Sequence, residues 1–520
     1  LRHGRLFSLG ALAFAVCLTL TACGTGDVGP GGSDTGNSTQ SATPPDDKLN
    51  LNATVNVRVA LEPASLNIFT TAGVSLDQAL MDNVYQGLVT VDGNAKDKIV
   101  PGLATSWEQS ADGLTYTFHL VQNAKFHDGS PLTSADAAWS LQQQIAPGSK
   151  SLRATEFGSV AEVSAPDPAT VTIRLKQRDT NLLWALTQRG GIVYKSGTDF
   201  ASLDGAENGS GPFRLAQWNR GSTLTLARVD NYWGPAPKVA KVVFHYIIEP
   251  NSANNATLTG QTDIQTGTDP SLLQAFTSAS DKFDVLRGNS TDEYTLAFNE
   301  KHPALSNPDV RHAIRQAIDK DAIIKAIGAG IRIGGPVPPQ DPWYEDLTSI
   351  DKFDPGNAKK LLAAAGYGNG LTLTVEYPNH YVPALSDVLV SNLKDVGITL
   401  NVHVVEFQTW LSKVYKNHDY ELSVVIHAEA RDFGNYARPD YYFNYDNKQV
   451  QQWYRDALTA DTEDARNALL KKAVRQVSED APCDWLFLVE ANTVVRKGIY
   501  GVPQHETNNR FPLTKLAVAK

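Results

Sequence analysis

Cysteine is scarce, with three in 520 residues, which excludes a small disulfide-stapled scaffold and leaves stability to a large core. Long Lys/Arg runs are missing too, and 46 basic against 56 acidic side chains give a net charge of -10. The electrostatic footprint of a nucleic-acid binder is therefore absent. No GxSxG elbow, HExxH zinc helix, GxxxxGKS/T phosphate loop or paired CxxC occurs. The eleven histidines form no metal-ligand spacing. Cys483 precedes the apolar segment Trp485 to Val489 and reads as a buried thiol rather than a nucleophile. These absences argue against an enzyme. Gly and Pro are present in ordinary proportion, 39 and 27, so collagen-like and wholly disordered classes drop out. What remains is a globular chain long enough for two or three packed units.

The amino terminus is informative about place. Arg2 and Arg5 lead an apolar run of 17 residues from Leu6 to Ala22, short for a membrane span and shaped like an export signal. It ends in Leu20-Thr21-Ala22-Cys23, which resembles the lipobox of bacterial lipoproteins. That resemblance implies cleavage before Cys23 and a diacylglycerol on its thiol, and two acyl chains suffice for stable anchoring. Residues 1–22 would then be a signal peptide, and removing their two arginines takes the charge to -12. Cys17 leaves with the signal and Cys23 is acylated, so Cys483 has no partner for a disulfide. Residues 23–53 follow as the lipidated cysteine and a polar tether, whose Gly24 to Asp47 stretch is too polar to pack and reaches roughly 25 Å.

From Thr54 the first half reads as sheet. Leu114, Tyr116, Phe118 and Leu120 alternate, as do Val171, Ile173 and Leu175, and Asp112-Gly113 and Asp92-Gly93-Asn94 supply turns. The second half changes character near Phe298. Val310, Ala313, Ile314, Ala317 and Ile318 lie on one helical face behind Asn307-Pro308. A helix opened by Asp354-Pro355 stops at Gly366. A strand through Leu371, Leu373, Val375 and Tyr377, a helix carrying Leu385, Leu389 and Leu393, and a strand from Ile398 to Val404 make a βαβ unit with parallel strands. A short helix around Trp410 to Tyr415 and the strand Leu422 to Ile426 extend it. Ligands of such sheets bind beyond the carboxyl ends of strands, where the loop from His427 lies. Gly328 to Gly335 reads as a flexible loop.

Several blocks now point to one family. Tyr85 to Leu141, GSGPFRLAQW from Gly209, RVDNYWG from Arg228, Ala297 to Ile324 and AKKLLAAAGY from Ala358 resemble, in order, the extracytoplasmic solute-binding proteins of ATP-driven importers, in the branch that binds dipeptides and oligopeptides. The resemblance implies a two-lobed α/β fold of the periplasmic-binding-protein type, with mixed sheets flanked by helices and a hinge between lobes. It implies three domains: 54–84 with 209–294 and 491–520 as the core of the first lobe, 85–208 as its extra domain, and 295–490 as the second lobe. The chain would cross between lobes near Tyr294 and Glu490.

The same resemblance implies no chemistry, no cofactor and no metal. It implies a monomer that captures a small peptide as an added strand and passes it to a membrane permease with cytoplasmic ATPase subunits. The family's ammonium-binding aspartate, in a pattern like Gly-Trp-x-Ala-Asp-Tyr, falls on Asp432 within His427-Ala428-Glu429-Ala430-Arg431-Asp432-Phe433. Glu429 replaces a tryptophan and Arg431 a small residue. Those departures keep other solutes of this fold open: a nickel chelate, haem, an opine-like compound or an oligosaccharide. An exported hydrolase and a non-transporting sensor or adhesive lipoprotein are the rivals from other classes. Candidate ligand contacts are Asp432, Glu429, Ala430, Arg431, Phe433, Tyr436, Gly73 in the Thr71 to Val74 loop, Phe407 and Trp410. Tyr441 to Phe443 either line the cleft or pack a helix start.

The lipobox yields a direct test. Cys23→Ala should remove the lipid mass increment from the mature amino-terminal peptide and release the protein from the membrane fraction, or stall its processing. A wild-type peptide without lipid, made in a competent host, would refute anchoring.

Overall fold

The computed structural model describes residues 40–520, apart from 72, 94–97 and 380, and gives no side-chain placement for Gln408. The signal peptide, Cys23 and most of the tether lie outside the described residues.

Alternating apolar residues make strands wherever one face is covered. The strands that organise the molecule are β1 (Thr54–Val59), β2 (Ala104–Gln109), β3 (Thr115–Leu120), β4 (Val160–Asp167), β5 (Thr170–Leu175), β6 (Phe213–Asn219), β7 (Thr223–Arg228) and β8 (Lys241–Tyr246). They continue with β9 (Ile264–Gln265), β10 (Phe283–Phe298), β11 (Leu371–Pro378), β12 (Ile398–Val405), β13 (Leu422–His427) and β14 (Cys483–Arg496). Ten of them form one sheet in the order β12-β11-β13-β10-β14-β9-β1-β8-β7-β6, and β2-β3-β5-β4 form a separate antiparallel sheet. The helix Ser134–Ile145 packs on the smaller sheet. Asp136 accepts the Thr133 N–H at 2.9 Å, closing a capping box at its start.

The expected βαβ unit is present. β11 and β12 are parallel from Leu371↔Ile398 to Pro378↔Val405, joined by the helix Pro383–Asp395, and β13 adds to β11 in parallel at Val375↔Leu422. β10 and β14 run antiparallel over most of their length, with a register shift between Asn289 and Glu293. Below the shift they belong with β9 and β1, and above it with β13. Separate apolar cores back the two regions, one around Val55, Val57, Leu224 and Phe244, the other around Leu296, Phe298, Ile314, Leu373 and Leu422.

The Gly328 to Gly335 segment corrects the flexible-loop expectation. Ile331 makes an isolated antiparallel bridge with Leu488, and a Cβ on Gly334 would come within 2.1 Å of the Leu347 backbone. Its glycines serve close packing as well as turning. Cys483 is buried and free, and burial raises its thiol well above the usual range.

One ionic group is closed off under the second core. Asp484, 1% exposed, lies 2.9 Å from Lys320 Nζ and 3.6 Å from Arg315 Nε, both nearly buried. Asp484→Ala takes the carboxylate from the buried Lys320, while Arg315 keeps Asp351 at 3.1 Å, and should lower the unfolding free energy by about 3 to 5 kcal/mol. Glu162→Ala, which breaks only the exposed pair with Arg174, should cost about 1 kcal/mol or less. Urea titrations giving equal losses would overturn this assignment.

Candidate functional site

β13 ends at His427, and the chain beyond it turns through Ala428 to Arg431 into a short 3-10 helix, Asp432–Ala437. Arg431 makes the turn in the left-handed region, with φ 58°, a conformation uncommon for a side-chain-bearing residue. This turn forms one wall of a cavity of about 630 Å³, a size suited to small ligands. Glu429, Ala430, Arg431, Asp432 and Arg438 line it from that side. Arg153, Glu156, Asp179, Trp184 and Gln188 line it from the 85–208 region, and Asn508 from the carboxyl-terminal segment.

The walls touch around the cavity. Arg153 pairs with Glu156 at 2.9 Å and reaches Glu429 at 3.4 Å. The Thr180 N–H donates to the Leu458 carbonyl at 2.8 Å, and its hydroxyl donates to that of Ala457 at 3.0 Å. The Ala430 N–H donates to Asn508 Oδ1 at 2.9 Å, and the Asn508 amide donates on to Gln188. Arg431 lies 3.8 Å above the Trp184 ring and pairs with Asp341 at 3.3 Å.

Asp432 stands at the cavity wall with its carboxylate partly committed. Oδ2 lies 3.3 Å from His427 Nδ1 and accepts from the Asn435 amide at 3.3 Å. These contacts are long, which leaves acceptor capacity on the carboxylate oxygens. Behind it lies Glu293, 3% exposed, with Oε2 lacking a hydrogen-bond partner. Burial, then the charges of Asp432, Asp341 and Asp292, push its carboxyl well above the usual range. Burial likewise pushes Glu156 up.

The structure brings four sequence candidates, Glu429, Ala430, Arg431 and Asp432, to this cavity. Phe433 borders a neighbouring space instead. Tyr436 does not line the cavity; it packs on Phe443 and Trp485 and accepts from the Trp485 indole at 3.1 Å. Trp410, 4% exposed, donates to Ser423 Oγ and stacks on Phe407, away from the cavity. Helical spacing of these aromatics reflects packing. Gly73 is also elsewhere: its φ of 121° requires glycine, but an added Cβ would meet only Ser75 Oγ at 3.8 Å. The Thr71 and Gly73 carbonyls accept from Arg189, itself held bidentately by Asp77. Ala72, between them, lies outside the described residues. Tyr442 and Phe443 are core. Residues that the sequence reading missed, Arg153, Trp184, Gln188 and Asn508, carried no local motif, because each reaches the site only through tertiary contact.

Comparison with known proteins fits this geometry. Residues 98–453 match the model of bacterial extracellular solute-binding proteins, family 5 Middle. The chain belongs to that family. The binding protein is 27% identical over 469 residues to the glutathione-binding protein GsiB of Pectobacterium atrosepticum, covering 83% of this chain and 88% of that one. Its fold is similar to that of the periplasmic binding protein DppA from Helicobacter pylori in complex with peptide STSA, with TM-score 0.78, 22% identity, and coverage of 91% and 99%. It is also similar to the binding protein AgaA in complex with agropinic acid, from A. tumefacien R10, with TM-score 0.76, 25% identity, and coverage of 90% and 99%. The binding protein is thus an extracytoplasmic, non-catalytic component of an ABC importer with a two-lobed α/β fold. Permease and ATPase subunits are its implied partners.

The strand junction next to the cavity carries two further raised acids. Burial brings Asp292 up to about 7, and burial with the nearby Asp292 charge brings Glu506 up to about 7. Unfolded carboxyls titrate near about 4, so the native protein binds extra protons between those limits. Its stability should fall as pH rises through that window. Asp292→Asn with Glu506→Gln should flatten this dependence in urea titrations at pH 5 and pH 8. An unchanged slope would show that the two acids do not titrate there.

Proposed function

We propose that the solute is a short peptide with a free amino terminus, held between the lobes with its ammonium on Asp432. The observation that carries this reading is the Asp432 carboxylate at the cavity wall beyond the end of β13, with only long internal contacts. The mixed lining, with guanidinium and carboxylate groups and the Asn508 and Gln188 amides, suits a zwitterion whose backbone needs both donors and acceptors. The names of GsiB and of the H. pylori complex support a peptide for relatives of this chain. In this reading the lobes close about β10 and β14, with residues 54–84, 209–294 and 491–520, then 85–208, then 295–490 as the three domains. Cys23 carries the lipid that holds the protein beside its permease. An opine-like solute is the second reading, favoured by the agropinic acid complex of AgaA.

Calorimetry with Ala-Ala-Ala and its N-acetyl form decides between them. Asp432→Asn should weaken the free peptide at least about tenfold, or roughly 1.4 kcal/mol, and affect the acetylated peptide much less. A desolvated charge pair commonly loses about 2 to 5 kcal/mol when one partner is removed. Equal weakening of both peptides would make Asp432 a loop support. Binding of agropinic acid but of neither peptide by the wild type would favour the opine reading.

A further inference from the structure

Arg431 fills space as well as carrying charge. Its guanidinium lies 3.8 Å from the Trp184 ring and 5.2 Å from the Trp343 ring, and its Nε is 3.3 Å from Asp341, with both side chains under 9% exposed. On one side it faces the 630 Å³ cavity. On the other it walls a residual space of about 10 Å³, bordered by the aromatic rings of Trp343, Phe433 and Tyr454, by Leu458 and Leu470, and by the polar Thr180 and Arg466. That remnant is at the lower limit for one water molecule. Asn181, Tyr454 and Leu458 border both spaces, so the arginine side chain stands between two parts of one continuous recess. Its left-handed backbone aims it there.

We propose that Arg431 is an internal stopper, occupying an aromatic-walled recess that would otherwise admit a side chain of the ligand. Wild-type protein then selects ligands that are small at that position. Cation–π contact with two indoles and the ion pair with Asp341, both largely shielded from water, help to hold the stopper. The identity of the excluded group as a peptide side chain rests on the peptide reading above; the recess does not.

The test compares wild type with the double variant Arg431→Gly, Asp341→Asn. Glycine accepts the positive φ, and asparagine removes the buried charge that the arginine had faced. Indole, an aromatic probe with one N–H donor, should raise the thermal midpoint of the variant and leave wild type unmoved, because the vacated space is walled by Trp343, Phe433 and Tyr454 with the Arg466 guanidinium beside them. By calorimetry, at least one of Phe-Ala-Ala, Ala-Phe-Ala and Ala-Ala-Phe should gain about tenfold over Ala-Ala-Ala in the variant relative to wild type. Indole acting equally on both proteins, or on neither, overturns the stopper. Indole acting on the variant alone, with Ala-Ala-Ala bound but no Phe peptide gaining, overturns its role in selectivity. Indole acting on the variant alone while no peptide binds either protein upholds the recess and removes the peptide reading instead. If the double variant does not fold, Arg431→Lys, which keeps charge beside Asp341 but vacates the planar slot between the indoles, is judged by the same readings.

Discussion

The antiparallel pairing of β10 with β14 is the constraint on which the rest depends. These two strands run through both halves of the ten-stranded sheet, and their ladder breaks only near Asn289/Glu293 and Tyr294/Thr295. At the first break, Ser290 and Thr291 leave the ladder and take up new work. Ser290 Oγ donates to the Val489 carbonyl at 2.8 Å. Thr291 Oγ1 donates to the Ala428 carbonyl at 3.2 Å and accepts from the Asn508 N–H at 3.3 Å. A bulge re-aims the groups around it. Here it holds the loop after β13 and the carboxyl-terminal segment beside each other, which is why Ala430 can donate to Asn508.

The same break gathers acids. Glu293 opposes His427 across the β10–β13 ladder, and its carboxyl shares low-dielectric surroundings with Asp432, Asp341 and Asp292. Such a group costs free energy when ionised, so this junction is poorly optimised for stability alone. Regions that move and bind are drawn from the less stable parts of a structure. The junction therefore places carboxyls that burial holds above their usual range beside Asp432 at the end of β13.

Much of the second region was legible in the sequence because its signals are local. Alternation at Leu371, Leu373 and Val375, the helical stripe of Leu385, Leu389 and Leu393, and the apolar run from Leu422 each depend on one element and one buried face. Their order then put the His427 loop at a strand end. The opposite wall was not legible. Arg153 sits beside a 3-10 turn, Trp184 in a short helix and Asn508 in an irregular segment, and nothing in the spacing of those residues reports their convergence. Phe407 and Trp410 illustrate the converse: a helical aromatic pair has the same sequence pattern whether it lines a cleft or, as here, stacks against the body of the protein.

Glu429 and Arg431 share a physical context. Each finds a partner on the 85–208 side of the cavity, Glu429 with Arg153 and Arg431 with Trp184. Neither contact exists within the loop itself, so both depend on the two walls being together. Contacts between the walls favour the arrangement in which they are made by their own free energy, whichever ligand is present. The Glu429–Arg153 pair is two-thirds exposed on the glutamate side, and screening leaves it a small contribution. The Arg431–Trp184 contact is desolvated, backed by Asp341, and correspondingly stronger. Of the two, Arg431 is the stronger tie between the loop and the opposite wall. Under the stopper proposal, changing the residue at that position alters both the shape of the cleft and the strength with which its walls hold each other.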